Sequence, residues 1–353
     1  MNILGSGTST LSTSALVATA VLLFLHSSLG LVTTAPRRLM ILGLGNVGKA
    51  VADEAARQNY FDKIYGTVRR LPGDDAATTT PNTAVESILF QDELDVTASL
   101  KDCTHVLITI PPPMEFNNDL LYDVYASVLK QKTGDCWVGF VSTTGVYGAH
   151  QNAWVDEESE CLIDANSKTH RYLRAETIWQ SCGSINCNAV VFRCAGLYGW
   201  DRSALHTLRK NGKLAIDLKE NPTINPTSRI HEVDVARIIV SCMMKTCEPS
   251  SSKSQIYNLA DNDPERRDVV MRYASELLDE AHAWPAYSNG ESAVAQPAST
   301  SERSRRRGQA SSGKRVANEK ITRDFESLLY PTYREGLQAI LQRNIDNWTQ
   351  TNQ

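Results

Sequence analysis

The hexapeptide Gly43-Leu44-Gly45-Asn46-Val47-Gly48 has the spacing with which a main chain can wrap a pyrophosphate. Gly43 suits a tight turn, and Gly45 leaves a phosphate room to approach the backbone. Gly48 lets a following helix pack closely on the preceding strand. Asn46 and Val47 would open that helix, whose N-terminal N–H groups favour negative charge. The same residues could be a glycine turn kept for packing alone. What points to a dinucleotide is their setting, the apolar run RRLMIL before them and the amphipathic run NVGKAVADEAARQ after them.

A second feature bears on which dinucleotide. The next apolar run, KIYGTV, ends in Arg69 and Arg70. An NAD site usually carries Asp or Glu there for the ribose hydroxyls, whereas a guanidinium can grip a 2′-phosphate bidentately. NADP is therefore the expected cofactor, with NAD as the alternative; a solvated arginine pair is the plainer reading. Ile110 and Pro111 begin the IPPP run that ends the fourth strand, where prolines without N–H groups can only line the wall beside a nicotinamide ribose. The eight cysteines include no CxxC pair, so no zinc knuckle is expected, and Cys182 and Cys187 read as ordinary thiols.

These residues need a scaffold, and the chain supplies alternating strands and helices. Apolar runs at LMIL, KIYGTV, ESILF, CTHVLITI, CWVGFVST and NAVVFRCAGLYG are separated by helical patterns, including one from about Asn118 to Lys130 and one around Tyr172 to Ser181. That order means βαβ units and a parallel sheet. The expected fold is α/β, a doubly wound Rossmann sheet over residues 38–200 with a smaller C-terminal substrate lobe over 201–284 and 314–343. Later residues such as QIYNLADN are expected to add strands to the sheet, and PERRDVVMRYASELLDEA reads as a helix starting at Pro264.

Residues 1–37 are of another kind. No acidic residue precedes Asp53, and Ala15–Leu25 is apolar apart from Thr19. Eleven helical residues reach ~16 Å, short of a ~30 Å bilayer core but right for a signal peptide. The expectation is entry into the secretory pathway and a mature form without a membrane span; LVTTAPRR, basic and acid-free, makes a plastid presequence the main alternative. Residues 285–313 are rich in Ser, Ala, Gly and Arg without period, and read as a disordered insertion. The net charge of −4 offers nucleic acid no general attraction, although Arg303–Arg307 is a local basic cluster.

FVSTTGVYG, WVDEES, VVFRCAGLYGWDRS, RIHEVDVARII and YNLADNDP occur in the order seen in extended short-chain dehydrogenase/reductases. The chain resembles their NAD-dependent epimerase/dehydratase branch over roughly residues 38–343, and ITIPPP with KRVANEK…YPTYREGL resembles an atypical subgroup of it. The resemblance implies a Rossmann domain with a smaller C-terminal substrate lobe; a small-molecule substrate is expected, and a homodimer is one possible assembly.

It also implies a site. Thr143 takes the position of the Ser or Thr that hydrogen-bonds the substrate oxygen during hydride transfer. The family tyrosine should follow in a YxxxK dyad, in which lysine lowers the phenol pKa; no tyrosine here has a lysine four residues later. Aligning Tyr172 with the family tyrosine puts Glu176 in the lysine position. Aligning Glu176 with a glutamate found later on the family helix puts Lys168 and Tyr172 at the dyad positions, inverted. Tyr198 and Arg202 match a substrate-loop motif, and His231 with Asp234 match a motif near the cleft. A surface turn, a buried hydrogen-bonder and a helix cap are the respective plain alternatives. The implied function is an oxidoreductase or epimerase for a small or sugar-like carbonyl or hydroxyl substrate, working without the dyad. The alternative is a non-catalytic NADP(H)-binding redox sensor or regulator.

Overall fold

A computed structural model describes residues 36–71, 84–116, 119–132, 136–164, 167–182, 187–211, 225–245, 255–281 and 313–351. Residues 1–35, most of the segment expected to direct targeting, and residues 285–312 of the expected insertion lie outside these residues.

The body of the protein is a seven-stranded sheet. Its first half comprises β1 (Arg38–Leu42), α1 (Asn46–Gln58), β2 (Lys63–Val68), β3 (Val85–Leu89), α2 (Glu93–Asp102) and β4 (His105–Ile108). A π turn at Leu120–Tyr125 runs into α3 (Ala126–Lys130), followed by β5 (Cys136–Thr143), a 3-10 turn (Thr144–Tyr147), β6 (Trp154–Val155), α4 (His170–Gln180) and β7 (Cys187–Cys194). Next come β8 (Gly196–Tyr198), α5 (Ala204–Asn211), β9 (Pro226–Thr227), β10 (Arg229–His231), α6 (Glu232–Lys245) and β11 (Gln255–Leu259). The chain closes with β12 (Glu265–Arg266), α7 (Arg267–Ala281), β13 (Arg315–Val316), α8 (Glu319–Asp324) and α9 (Tyr333–Thr351).

Strand order in the large sheet is β11-β7-β5-β4-β1-β2-β3, and every pairing is parallel. The doubly wound Rossmann fold expected from the sequence is present, with the order reversing between β1 and β4, where such sheets open a ligand crevice. Period-two alternation explains why both faces are covered. Leu39 and Ile41 of β1 enter a core shared with α1 and α6, while Met40 and Leu42 enter the opposite core with α2, α3 and α4.

Two expectations are corrected by pairing. The run NAVVFRCAGLYG is two strands, because β8 leaves the large sheet to pair with β10. The helix expected from Pro264 starts at Arg267, because Glu265 and Arg266 pair antiparallel with Thr227 and Pro226. The C-terminal lobe has its own apolar core, where Leu205, Met271, Ala274, Tyr333, Leu337 and Ile340 are buried together.

Candidate active site

Three loops meet at the carboxyl edge of the sheet: the glycine turn after β1, Thr109–Ile110 after β4, and Thr143 at the end of β5. In the glycine turn Gly43 has φ +107, and a Cβ there would lie 2.7 Å from the Ile110 side chain. A Cβ on Gly48 would lie 2.1 Å from the Gly43 carbonyl oxygen, so α1 can approach β1 only without one. Gly45 differs, since nothing lies within 4 Å of where its Cβ would be. The turn thus uses two glycines for protein packing and leaves the third facing open space, at the head of α1, where no side chain caps the helix. That is the geometry a pyrophosphate requires.

Side chains outside the motif hold the turn. The Gly43 N–H donates to Thr67 Oγ1 at 2.8 Å, and Thr109 Oγ1 donates to the Gly43 carbonyl at 2.6 Å. Sequence reasoning passed over both threonines; a hydroxyl near the end of β2 and one just after β4, beside a glycine turn, were the available signal.

Arg69 is exposed, makes no described protein hydrogen bond, and lines a cavity of about 510 Å³ with Gln91, Asp92 and Glu93. Two carboxylates, from Asp92 and Glu93, therefore stand in the same cavity as Arg69. Asp92 is partly committed, accepting from the Asp95 N–H at the head of α2. Arg70 is exposed as well. Ile110 packs on Gly43, and Pro111 beside it is exposed.

Thr143 lies two strands from the glycine turn. Its Oγ1 accepts the Gly145 N–H at 3.0 Å and so caps the 3-10 turn, leaving the hydroxyl proton for another partner. Tyr147, four residues on, is buried; its phenol donates to Asn258 Oδ1 at 2.8 Å, and burial pushes its pKa up to about 12. It cannot act as a base near neutrality.

Glu176 is buried under this turn. It pairs with Arg193 of β7 at 2.8 Å and accepts from Ser142, the neighbour of Thr143. Arg193 also lies over the Tyr147 ring, 4.9 Å from its centroid. One polar network therefore ties α4, β5 and β7 together directly behind Thr143.

The sequence matches no protein-family model, and no curated protein is significantly similar to it. Solved structures do resemble it. A conserved protein of unknown function from Silicibacter pomeroyi is 29% identical, with 87% of this chain and 99% of that one covered and a TM-score of 0.63. A Methylobacillus flagellatus protein classed as an NAD-dependent epimerase/dehydratase is 18% identical, with coverage of 88% and 99% and a TM-score of 0.58. UDP-glucuronic acid 4-epimerase from Bacillus cereus, solved with NAD, is 17% identical, with coverage of 87% and 96% and a TM-score of 0.59. The chain has the short-chain dehydrogenase/reductase fold of the epimerase/dehydratase type.

Within that fold, the burial of Glu176 favours the second of the two registers. A carboxylate fully engaged with Arg193 and Ser142 is a core anchor, so it fits the glutamate position later on the helix. Lys168 and Tyr172 then stand at the dyad positions in inverted order. Lys168 is exposed and precedes α4; Tyr172 is half-buried and packs on the apolar clusters that contain Tyr122 and Val146. No tyrosine of the sequence has a lysine four residues later.

The remaining candidates separate. Tyr198 and Arg202 line one cavity of about 260 Å³ together with Arg229, Arg267, Thr207 and Tyr333. His231 does not join them, because it has no solvent exposure. Its ring sits among Tyr198, Trp200 and Tyr330, its Nδ1 accepts the Val233 N–H at 3.2 Å, and burial with Arg343 lowers its pKa to about 4. The substrate contact expected of His231 is replaced by a structural one. Asp234 caps no helix of its own; it accepts from the N–H groups of Leu329 and Tyr330 at 2.6 and 2.9 Å. Arg229 and Arg267 were missed because they lie in segments whose pairing, β10 with β8 and β12 with β9, is set only by the lobe.

Among the described residues there is no cluster suited to a metal ion, and no helix is long and apolar enough to cross a membrane.

Proposed function

We propose that the protein is an NAD(P)-dependent oxidoreductase or epimerase acting on a sugar-like substrate that carries an anionic group, with a nucleotide sugar as the class that fits best. The observation that carries this reading is the cavity holding Tyr198, Arg202, Arg229 and Arg267, whose lining includes three guanidinium groups and no carboxylate. Arginine clusters of this kind suit phosphate oxygens. The likeness to an NAD-bound UDP-glucuronic acid 4-epimerase points the same way.

A nicotinamide bound along the glycine turn would supply or accept the hydride. Gly45 and the head of α1 would receive its pyrophosphate, and Ile110 would wall its ribose. Thr143 would donate its hydroxyl proton in a hydrogen bond to the substrate oxygen as charge changes there. Proton transfer in this chain is not assigned to Tyr147, whose phenol is committed to Asn258.

NADP is the cofactor we favour, because Arg69 directly follows β2, is exposed, and has no partner among the described residues. Thermal-shift and calorimetric titrations with NADP⁺, NADPH, NAD⁺ and NADH test this. Arg69→Asp should weaken NADPH by about ten- to hundredfold, the value of a charge-assisted contact, and spare NADH. Equal small losses for both would remove Arg69 from the site, and no binding of any of the four would end the proposal.

A second reading, a non-catalytic NADP(H) sensor, draws on the loss of the dyad and the structural use of Glu176. Binding of cofactor without turnover of any nucleotide sugar, at any pH, would favour it. We also propose that residues 1–37 direct the chain into the secretory pathway. The apolar run Ala15–Leu25 in an acid-free segment supports this reading. A mature N-terminus still at Met1 would refute this.

A further inference from the structure

Lys314 is a charge that the fold does not account for. It directly precedes β13, and its backbone is held on both sides: Asn152 N–H donates to Gly313 O at 2.7 Å, and Arg315 N–H donates to Ala153 O at 2.9 Å. Its ammonium donates to the Gly148 carbonyl at 3.1 Å. Gly148 closes the turn that Thr143 opens, since its N–H donates to Gly145 O at 3.1 Å and the Gly145 N–H donates to Thr143 Oγ1 at 3.0 Å. A chain of hydrogen bonds therefore leads from the Thr143 hydroxyl to this ammonium. A 3-10 turn rises about 2 Å per residue, which puts the two ends on the order of 10 Å apart. A hexuronate with a hydrogen bond of about 2.8 Å at each end spans a distance of that order.

The other half-buried lysines show what is missing. Lys132 donates to the carbonyls of Leu100 and Lys101 near Asp102, and Lys320 donates to Ile256 O while lying 4.7 Å from the centroid of the Tyr257 ring. Lys314 has one carbonyl, no ring and no ion pair among the described residues. Burial lowers its pKa, and no acid among the described residues offsets the effect. An ammonium has three donors, so two remain for a ligand. Holding a cation half out of water without an anion is unfavourable, and a bound anion would relieve it.

We propose that Lys314 is a substrate-recognition residue that binds a carboxylate on the substrate whose reacting oxygen lies at Thr143. The single charge of one ammonium matches a carboxylate, whereas the three arginines of the other cavity suit a more highly charged group. This assignment rests on the reading of Thr143 as the residue that orients the substrate.

UDP-glucuronate and UDP-glucose differ only in the carboxylate, which makes them the probes. Calorimetry on the full mature chain, saturated with whichever of NAD⁺ and NADP⁺ binds more tightly, should show UDP-glucuronate bound about ten- to hundredfold more tightly. Lys314→Gln should bring the ratio close to one by weakening UDP-glucuronate far more than UDP-glucose, and Lys314→Arg should retain most of the preference. A wild-type ratio near one, no binding of either probe, or a ratio unchanged in Lys314→Gln would overturn the assignment. The wild-type ratio decides even if the glutamine variant does not fold. Failure of both cofactors to bind would instead remove the broader reading; cofactor binding with a flat ratio removes only Lys314.

Discussion

The glycine turn and the Thr143 turn end two strands that flank β4, yet they are built differently. The first is specified by missing side chains: Gly43 and Gly48 have no room for a Cβ, and Gly45 has room that the protein leaves unfilled. The second is specified by buried side chains, with Glu176, Arg193, Ser142 and Tyr147 filling the space behind Thr143. A site made from backbone tolerates change in everything but shape. A site held by a buried ion pair depends on each partner, because removing one leaves the other charged and alone.

Arg193→Met tests that dependence most severely. It should cost about 3–5 kcal/mol of unfolding free energy, read by chemical denaturation, since Glu176 would remain buried without its partner. A loss below 1 kcal/mol would show that the network is not what holds α4 to the sheet.

Catalysis should divide along the same line. Thr143→Val removes the hydroxyl that we propose donates to the substrate oxygen, and should lower kcat by about a hundred- to a thousandfold. Tyr172→Phe should cost less than about tenfold, because general acid–base catalysis worth about a hundredfold or more needs a residue placed for it. Paired kinetics with cofactor affinity measured separately would decide. Abolished turnover in Tyr172→Phe with intact binding would restore an ordinary tyrosine mechanism.

Asp261, in the lobe, extends the comparison to pH. Burial raises its pKa to about 8 from 3.8, so the folded state keeps a proton that the unfolded chain has lost. Stability from this group is therefore greatest at low pH and falls as pH rises from about 4 to about 8. His231, lowered to about 4, acts in the opposite sense between about 4 and 6.5, which leaves the interval above pH 6.5 to Asp261. There Asp261→Asn should abolish a decline of about 1.4 kcal/mol per pH unit, seen as a flatter profile of denaturation midpoints. Identical slopes in the two proteins would refute the protonated carboxyl.

The smallest effect on stability belongs to the glycine turn. Gly45→Ala meets no protein atom and should change unfolding free energy by less than about 0.5 kcal/mol while reducing cofactor affinity at least about tenfold. Gly48→Ala should lower both, because its Cβ would collide with the Gly43 carbonyl. Equal behaviour of the two alanines would erase the distinction between packing and ligand glycines.

The glycine spacing, the alternation of strands and helices, and the missing dyad are all local properties of the string, so they could be read from it. Spacing sets the turn, period two and period 3.6 set the elements, and four residues separate positions on one helical face. Other features depend on residues far apart in the chain. The registers around Tyr172 were open in the sequence, which also gave no sign that Glu176 pairs with Arg193 across 17 residues. His231 looked the same as a cleft histidine until Tyr198, Trp200 and Tyr330 closed around it. Arg229 and Arg267 became neighbours of Arg202 only when the lobe folded, and Lys314 met Gly148 across 166 residues. Periodicity says which way a side chain faces along its own element. It does not say which charge from another element stands opposite, and burial of charge makes that pairing decisive.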